Sequence, residues 1–274
     1  MAELTITAIS DTHGRVALPD LLRGYESDIL VHCGDFAAGR TDRLTNSVIY
    51  DSHRRSWRKF LRELACVRHQ FGAIIVVPGN HDQICELLPK ICQSEIVKAG
   101  GHLLINSGAT IIAGNRCRIR LWGLPHTPPF MSWFFQGYDM SLYTDKIPAT
   151  IDVLVSHGPP YSIMDTVGPV LPQHVRPTDY LGSRDLYVRC QNLPRLKAVF
   201  FGHIHSSHGE DSRLGVNYFN CSILDEGYEW RFDPVTTAIK IDDSQKQSLD
   251  DDQTRNMFRA IQLVRMSGKL TDIE

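Results

Sequence analysis

The sequence lacks any apolar run near the roughly 20 residues that a membrane-spanning helix needs. It also lacks a basic N-terminal region followed by a long apolar stretch, because the apolar run at residues 4–9 begins almost at once. These absences argue against a secretory signal peptide and against a membrane partner. We therefore expect a soluble, cytoplasmic protein.

An excess of positive charge is also absent. The chain carries 29 Lys and Arg against 31 Asp and Glu, which gives a net charge of −2, and no basic stripe is evident. Proteins that bind long duplex nucleic acids usually show such a stripe, so we expect no partner of this kind.

Paired cysteine motifs are missing as well. The seven cysteines are odd in number, scattered, and form no Cys-x-x-Cys pair. This pattern is typical of reduced thiols in a cytosolic protein and argues against a disulfide framework.

Short apolar runs, each followed by a polar cluster, are what the chain does contain. Nearly unbroken β-branched runs of this length are typical of strands buried on both faces of a sheet. They occupy residues 4–9, 28–33, 73–77, 151–155 and 196–201. Apolar residues at helical spacing between some of them predict helices around residues 57–64 and 84–91, and hence an α/β fold with much parallel pairing.

Five shorter runs predict a second sheet packed on the first. They lie at residues 103–105, 110–113, 116–122, 216–219 and 236–241. We expect one domain over residues 1–245, followed by a tail over residues 246–274. In the tail, Met257, Phe258, Ile261 and Val264 share one helical face, which predicts a C-terminal helix packed on the domain or at an oligomer contact. The oligomeric state is left open.

All five buried runs end in Asp, Asn or His, often beside Gly. In open α/β sheets, ligands sit beyond the carboxyl ends of the strands, so these clusters should converge on one crevice. Each residue alone could be a turn, a helix cap or a surface group, but those explanations do not predict metal-coordinating side chains at five strand ends together. The predicted ligands are Asp11, His13, Asp35, Asn80, His157, His203 and His205.

These donors favour a pair of metal ions. They offer oxygen and nitrogen only, which suits Mn, Fe or Zn. Asp35 follows Gly34 and could bridge two ions, while Asp11 and His13 could reach the same ion. Two divalent ions facing two carboxylates leave a positive pocket, for which an anionic phosphoryl group is a natural guest.

The ordered motifs resemble the calcineurin-like metallophosphoesterase superfamily. They are Asp11-x-His13, Gly34-Asp35, Gly79-Asn80-His81-Asp82, Ser156-His157-Gly158 and Gly202-His203-x-His205. His157-Gly158-Pro159-Pro160 and Asn220-Cys221-Ser222 are similar to the brain-type subgroup of metallophosphoesterase-domain proteins, which is related to class III cyclic nucleotide phosphodiesterases. The resemblance implies two mixed β-sheets packed as a sandwich flanked by helices.

The resemblance also implies roles for the site residues. One metal would be held by Asp11, His13, Asp35 and His205, and the other by Asp35, Asn80, His157 and His203. A hydroxide between the metals would attack phosphorus in line. His81 would stabilise the phosphoryl oxygens or protonate the leaving group, and Asp82 would orient His81, with a helix N-cap as the alternative role for Asp82.

Four further residues are weaker candidates for substrate contact. Arg15 could touch a phosphate oxygen, although a solvated role is the alternative. His126 and His208 lie near site segments in the sequence. Trp133 could stack on a flat base, although a core position is the alternative.

The expected function is therefore hydrolysis of a small phosphodiester or phosphomonoester, with a nucleotide among the candidate substrates. A phosphomonoesterase or nucleotidase with the same site is the alternative enzyme. A non-catalytic scaffold is disfavoured because no ligand is missing, and a nuclease is disfavoured because no basic patch is present.

Overall fold

Two mixed β-sheets pack face to face, and helices cover the outer side of each. The computed structural model describes residues 2–37, 48–113, 117–168, 179–241 and 258–261. The architecture agrees with the two-sheet α/β sandwich that the sequence predicted.

The first sheet has five strands in the order β11-β1-β2-β3-β4. β1, β2, β3 and β4 run parallel, and β11 pairs antiparallel with β1. The strands are β1 (Ala2–Ile9), β2 (Ser27–His32), β3 (Phe71–Val76), β4 (His102–Leu103) and β11 (Val235–Ile241).

The second sheet has seven strands in the order β12-β5-β6-β7-β8-β10-β9. β6, β7, β8 and β10 run parallel, whereas β5 pairs antiparallel with β6 and β9 with β10. The strands are β5 (Ser107–Ala113), β6 (Cys117–Leu124), β7 (Val153–Ser156), β8 (Ala198–Phe201), β9 (Gly209–Arg213), β10 (Val216–Asn220) and β12 (Phe258–Ile261).

Six helices lie in the described ranges. They are α1 (Leu18–Leu21), α2 (Val48–Val67), α3 (Gln83–Leu87), α4 (Pro89–Lys98), α5 (Ser141–Thr144) and α6 (Arg184–Gln191). None of these helices is both long and apolar enough to cross a membrane.

The apolar side chains form three layers. Val31, Ile75 and Phe200 belong to the cluster between the sheets, while Leu30 and Trp57 belong to the cluster under α1 to α4. A third cluster lies under α6 on the outer face of the second sheet. Because neighbouring residues such as Leu30 and Val31 face opposite layers and both are buried, the strands are nearly continuous apolar runs.

Two predictions about helices need correction. The helix expected around residues 84–91 is two helices, because Pro89 cannot continue a helix and instead occupies the first turn of α4. The tail was expected to be helical, but Phe258–Ile261 form the strand β12, which pairs parallel with β5. A strand there satisfies the edge amides and carbonyls of β5. The rest of the tail and the proposed boundary at residue 245 lie outside the described residues.

The sheet arrangement brings the predicted site segments together. The carboxyl ends of β1, β2 and β3 lie side by side, since Ile9 is in register with His32, and His32 with Val76. An isolated bridge between Ser10 and Ser222 then links the end of β1 to the loop after β10 in the other sheet. The crevice therefore opens where both sheets end.

Candidate metal centre

The loop after β1 is held against the loop after β2 by backbone hydrogen bonds. The Asp11 amide donates to the Gly34 carbonyl at 2.9 Å, and the His13 amide donates to the Asp35 carbonyl at 2.9 Å. Asp11, His13 and Asp35 all have positive φ, between 44° and 56°. This left-handed conformation is uncommon outside Gly, and it turns consecutive functional side chains into the same crevice.

A first cluster consists of Asp11, His13 and His205. Its possible ligand atoms lie within 4.8 Å of one another, and all three residues are buried. The Nε2 atoms of His13 and His205 are 3.4 Å apart, and His205 Nε2 is 3.5 Å from Asp11 Oδ1. Asp11 Oδ1 itself is buried and has no hydrogen-bond partner among the described residues, as expected of an oxygen that coordinates a cation.

A second cluster consists of Asp35, His157 and His203, again with ligand atoms within 4.8 Å of one another. Asn80 joins it, because Asn80 Oδ1 lies 2.7 Å from His157 Nε2. Asp35 Oδ2 is 3.4 Å from His157 Nε2 and 3.7 Å from His13 Nε2. Asp35 therefore lies between the two clusters, in the position that a bridging carboxylate requires.

The outward nitrogens of two histidines contact backbone carbonyls. His157 Nδ1 lies 2.9 Å from the Cys33 carbonyl, and His205 Nδ1 lies 3.0 Å from the Asp225 carbonyl. A carbonyl only accepts, so each Nδ1 carries a proton and donates it, and each Nε2 faces the cluster. This is the usual support of a metal-binding imidazole, which fixes the ring orientation.

Burial and neighbouring charges shift the pKa values of the residues in the two clusters. Burial opposes charge on Asp11, but the attraction of His205, whose Nε2 lies 3.5 Å from Asp11 Oδ1, outweighs burial and lowers the pKa of the carboxyl. Asp35 behaves likewise beside His157, which also lowers its pKa. Burial lowers the pKa of His13 and of His203 to about 3. The site thus presents two carboxylates and at least two neutral imidazoles, a donor set that fits borderline divalent cations.

Small residues let the loops approach the clusters. A Cβ added to Gly79 would lie 2.2 Å from Asp35 Oδ1, and one added to Gly202 would lie 2.1 Å from Asp11 Oδ2. These contacts are far shorter than van der Waals distance. The glycines that the sequence places beside the ligands are therefore needed for close packing against the carboxylates.

Asp82 joins the loops after β2 and β3 through hydrogen bonds to backbone amides. The sequence instead predicted that Asp82 orients His81 or caps a helix. Its carboxylate accepts from the backbone amides of Asp35, Ala37 and Gly79 at 2.7–2.9 Å. It lies at the N-cap of α3 without a side-chain capping bond. The hydrogen bonds of Asp82 thus fix the segment that carries Asp35, rather than capping the helix.

His81 lies beside the clusters without belonging to either. Its Nε2 is 3.9 Å from Asp35 Oδ2, its side chain is 12% exposed, and its ring meets the His13 ring edge-on with centroids 4.9 Å apart. The Trp133 ring packs on His81 with centroids 4.8 Å apart, and the Phe130 ring packs on Trp133 with centroids 5.1 Å apart. Trp133 therefore forms an aromatic wall next to His81.

The other substrate-contact candidates lie in different places. Arg15 is exposed. The His126 ring stacks on the Tyr143 ring with centroids 3.7 Å apart, and its Nδ1 lies 3.3 Å from the side-chain Nδ2 of Asn106. His208 stacks on Phe232 and contacts the Ser222 carbonyl at 2.9 Å. His126 and His208 thus support the surrounding loops, and the structure does not join them to the two clusters.

Comparison with known proteins agrees with this geometry. The family model described as calcineurin-like phosphoesterase matches residues 4–207, a span that contains every predicted ligand. The chain belongs to the calcineurin-like phosphoesterase family.

Relatives of this calcineurin-like phosphoesterase span most of its length. Metallophosphoesterase domain-containing protein 1 of Homo sapiens is 26% identical over 257 residues, covering 85% of this chain and 69% of that protein. UPF0046 protein C25E10.12 of Caenorhabditis elegans is 25% identical, covering 87% of this chain and 82% of that protein. A solved crystal structure that is 19% identical has a TM-score of 0.53 and covers 80% of this chain and 90% of its own, which supports the fold.

Two contributors to the site of this phosphoesterase lie beyond the matched span. Ser222 Oγ donates to Asp11 Oδ2 at 2.9 Å, and the His203 amide donates to the same oxygen at 2.8 Å. Asn220 Oδ1 accepts from the Ser222 backbone amide at 3.1 Å, and Asn220 Nδ2 donates to the Ile204 carbonyl at 2.9 Å. The Asn-Cys-Ser motif therefore fixes both Asp11 and the loop that carries His203 and His205.

We predict that Ser222→Ala lowers metal affinity about 10- to 100-fold, the usual effect of removing a group that orients a ligand. Asp11 would lose one of the two hydrogen bonds that hold Oδ2. Calorimetric titration of the metal-free protein with Mn²⁺ measures this effect. Ser212→Ala, at a partly exposed position of β9, is the control and should bind as the wild type does. Equal affinities for Ser222→Ala and wild type would contradict the prediction.

Tyr228 is the residue that sequence reasoning missed. Its ring meets the His13 ring edge-on with centroids 4.9 Å apart, and the His205 ring with centroids 5.3 Å apart. Burial and the charges of Asp35 and Asp11 raise its pKa to about 12, and the charge of Arg15 opposes that shift. The sequence Asp-Glu-Gly-Tyr indicates a turn there, but it carries no signal of what the tyrosine faces.

Proposed function

We propose that this protein is a dinuclear metal-dependent phosphoesterase that hydrolyses a small phosphodiester or phosphomonoester. The observation that carries the proposal is the convergence of two three-residue clusters, with Asp35 Oδ2 in reach of both. We assign Asp11, His13, Asp35 and His205 to one ion, and Asp35, Asn80, His157 and His203 to the other. Mn, Fe and Zn all suit these donors.

The two ions, when bound, would polarise the phosphoryl group and activate water. The chain itself fixes the donors in advance: Cys33 and Asp225 orient His157 and His205 through their carbonyls, and Asp82 holds the backbone that carries Asp35. A site held this way needs little rearrangement when charge develops in the transition state.

His81 would act on the substrate from the edge of the clusters. It lies next to Asp35 but belongs to neither three-residue group, so its imidazole is placed to donate to a phosphoryl oxygen or to protonate the leaving group. Trp133 packs on the His81 ring, with the two ring centroids 4.8 Å apart.

A small substrate suits the charge of the protein. With a net charge of −2 there is no general attraction for a long polyanion, whereas two cations at the clusters would attract a phosphoryl group locally. A small phosphorylated metabolite, with nucleotides among the candidates, is therefore the proposed partner.

The test is turnover of bis(p-nitrophenyl) phosphate and p-nitrophenyl phosphate by the protein reconstituted in turn with Mn²⁺, Fe²⁺ and Zn²⁺. We expect metal-dependent release of p-nitrophenol, abolished by chelation and restored by adding the metal back. The ratio of the two rates decides between diesterase and monoesterase. A protein that binds two metals and hydrolyses neither ester would instead support the scaffold alternative.

A further inference from the structure

The loop at residues 225–229 is built as a rigid support for Tyr228. Asp225 Oδ1 accepts from the amides of Gly227 and Glu229, and the Asp225 carbonyl accepts from the Tyr228 amide at 2.9 Å. Tyr228 is held at φ 61°, which is uncommon for a bulky aromatic residue. The same Asp225 carbonyl binds His205, so the loop that orients a candidate ligand also positions this phenol.

The side chain of Tyr228 is partly exposed. Tyr228 is 36% exposed, although its ring packs on His13 and His205. Its hydroxyl has no hydrogen-bond partner within the described part of the chain. Its ring centroid lies 4.9 Å from that of His13 and 5.3 Å from that of His205, so the phenol is next to two candidate ligands of the first cluster.

The crevice therefore has two different walls. On the His81 side lie Trp133 and Phe130, which are aromatic and mainly apolar. Beside His13 and His205, the phenol of Tyr228 brings a hydrogen-bond donor to the crevice. An anionic oxygen is better bound by the second wall, because donors in a partly buried site are worth more than the same donors in water.

We propose that Tyr228 binds the substrate directly, by donating a hydrogen bond from its hydroxyl to a non-bridging phosphoryl oxygen. The inference rests on the proposed phosphoesterase function and adds a substrate contact to it. Tyr228→Phe tests the proposal cleanly, because it removes the donor and keeps the ring that packs on His13.

The experiment compares wild type, Tyr228→Phe and Tyr187→Phe, each reconstituted with Mn²⁺. Tyr187 lies on α6, at the outer face of the second sheet, and controls for loss of a phenol elsewhere. Three quantities are measured: bound manganese, the Kd for inorganic phosphate by calorimetry, and kcat/KM for p-nitrophenyl phosphate or its bis ester.

For Tyr228→Phe we expect an unchanged content of bound manganese. Phosphate binding should weaken by roughly 3- to 10-fold, the range for losing a neutral hydrogen bond. kcat/KM should fall by about 10- to 100-fold, the range for losing a charge-assisted hydrogen bond. Tyr187→Phe should match the wild type in all three. Loss of manganese in Tyr228→Phe would show that the tyrosine supports the ligands instead, and would overturn the proposal.

Two further outcomes separate this proposal from the proposed function. If wild type binds phosphate and hydrolyses an ester while Tyr228→Phe does both equally well, only the assignment of Tyr228 falls. If wild type binds manganese but neither binds phosphate nor hydrolyses any ester, both proposals fall together.

Discussion

Replacing Asp35 by Asn is expected to abolish turnover and to remove both metal ions at once. Asp35 Oδ2 lies 3.7 Å from His13 and 3.4 Å from His157, so it is the carboxylate placed between the two clusters. The Asn side chain keeps the shape and can still accept from the His81 amide, but it removes the negative charge. Losing several kcal/mol of transition-state stabilisation corresponds to roughly a thousandfold or more in rate.

Elemental analysis of the reconstituted variant and its ester turnover measure this effect together. Asp28→Asn is the matched control, because Asp28 lies near the start of β2, the strand that Asp35 follows, and accepts hydrogen bonds from Thr5. It should keep both metals and full activity. An Asp35→Asn protein that is active without metal would disprove the dinuclear mechanism. A protein that keeps two tightly bound ions would show that Asp35 does not bridge them.

The strand pattern and the candidate site were predictable from sequence for the same physical reason. A strand buried on both faces must be apolar almost throughout, so it is recognised directly, and its polar end then marks the crevice. The family resemblance implied that Asp11 and His205 share one metal ion and that Asp35 and His157 share the other. The structure places the same pairs in two separate clusters. Assignment of those residues as metal ligands remains a prediction that metal binding must test.

The features that sequence reasoning missed depend on tertiary contacts. The apolar spacing around residues 84–91 suggested one helix, since spacing alone does not register the break at Pro89. The four described residues of the tail suit a helix by spacing, but the open edge of β5 pairs them as a strand. Tyr228 follows a Gly in a turn, and only the packing of that loop on His205 places it at the site.

Close contacts between glycines and carboxylates explain why the site residues occur in short motifs. Gly79 and Gly202 have Asp35 and Asp11 against them at distances that leave no room for a Cβ. Asp82 binds the amides of both Asp35 and Gly79, so two separate strand ends are joined by one carboxylate. Short motifs at distant positions of the chain are thus one packed unit, which is why they are informative only as a set.

Replacing His81 by Ala is expected to leave both metals bound and to slow turnover by roughly 10²- to 10⁴-fold, the range for losing an acid–base group. The reason is its place in the structure: its Nε2 is 3.9 Å from Asp35, outside both three-residue clusters, and its ring faces Trp133. Metal content and kcat are measured on the reconstituted variant. His69→Ala, at an exposed position after α2, is the control and should behave as wild type.

The choice of leaving group then distinguishes the two roles open to His81. Phenoxide needs a proton to depart, whereas p-nitrophenoxide departs without one. If His81 protonates the leaving group, His81→Ala should lose far more activity on phenyl phosphate esters than on p-nitrophenyl esters. If His81 instead stabilises the phosphoryl oxygens, both losses should be alike, because that charge develops whichever group leaves. Unchanged kcat on both esters would show that this imidazole takes neither role, whereas loss of a metal from His81→Ala would contradict the expectation that His81 is not a metal ligand.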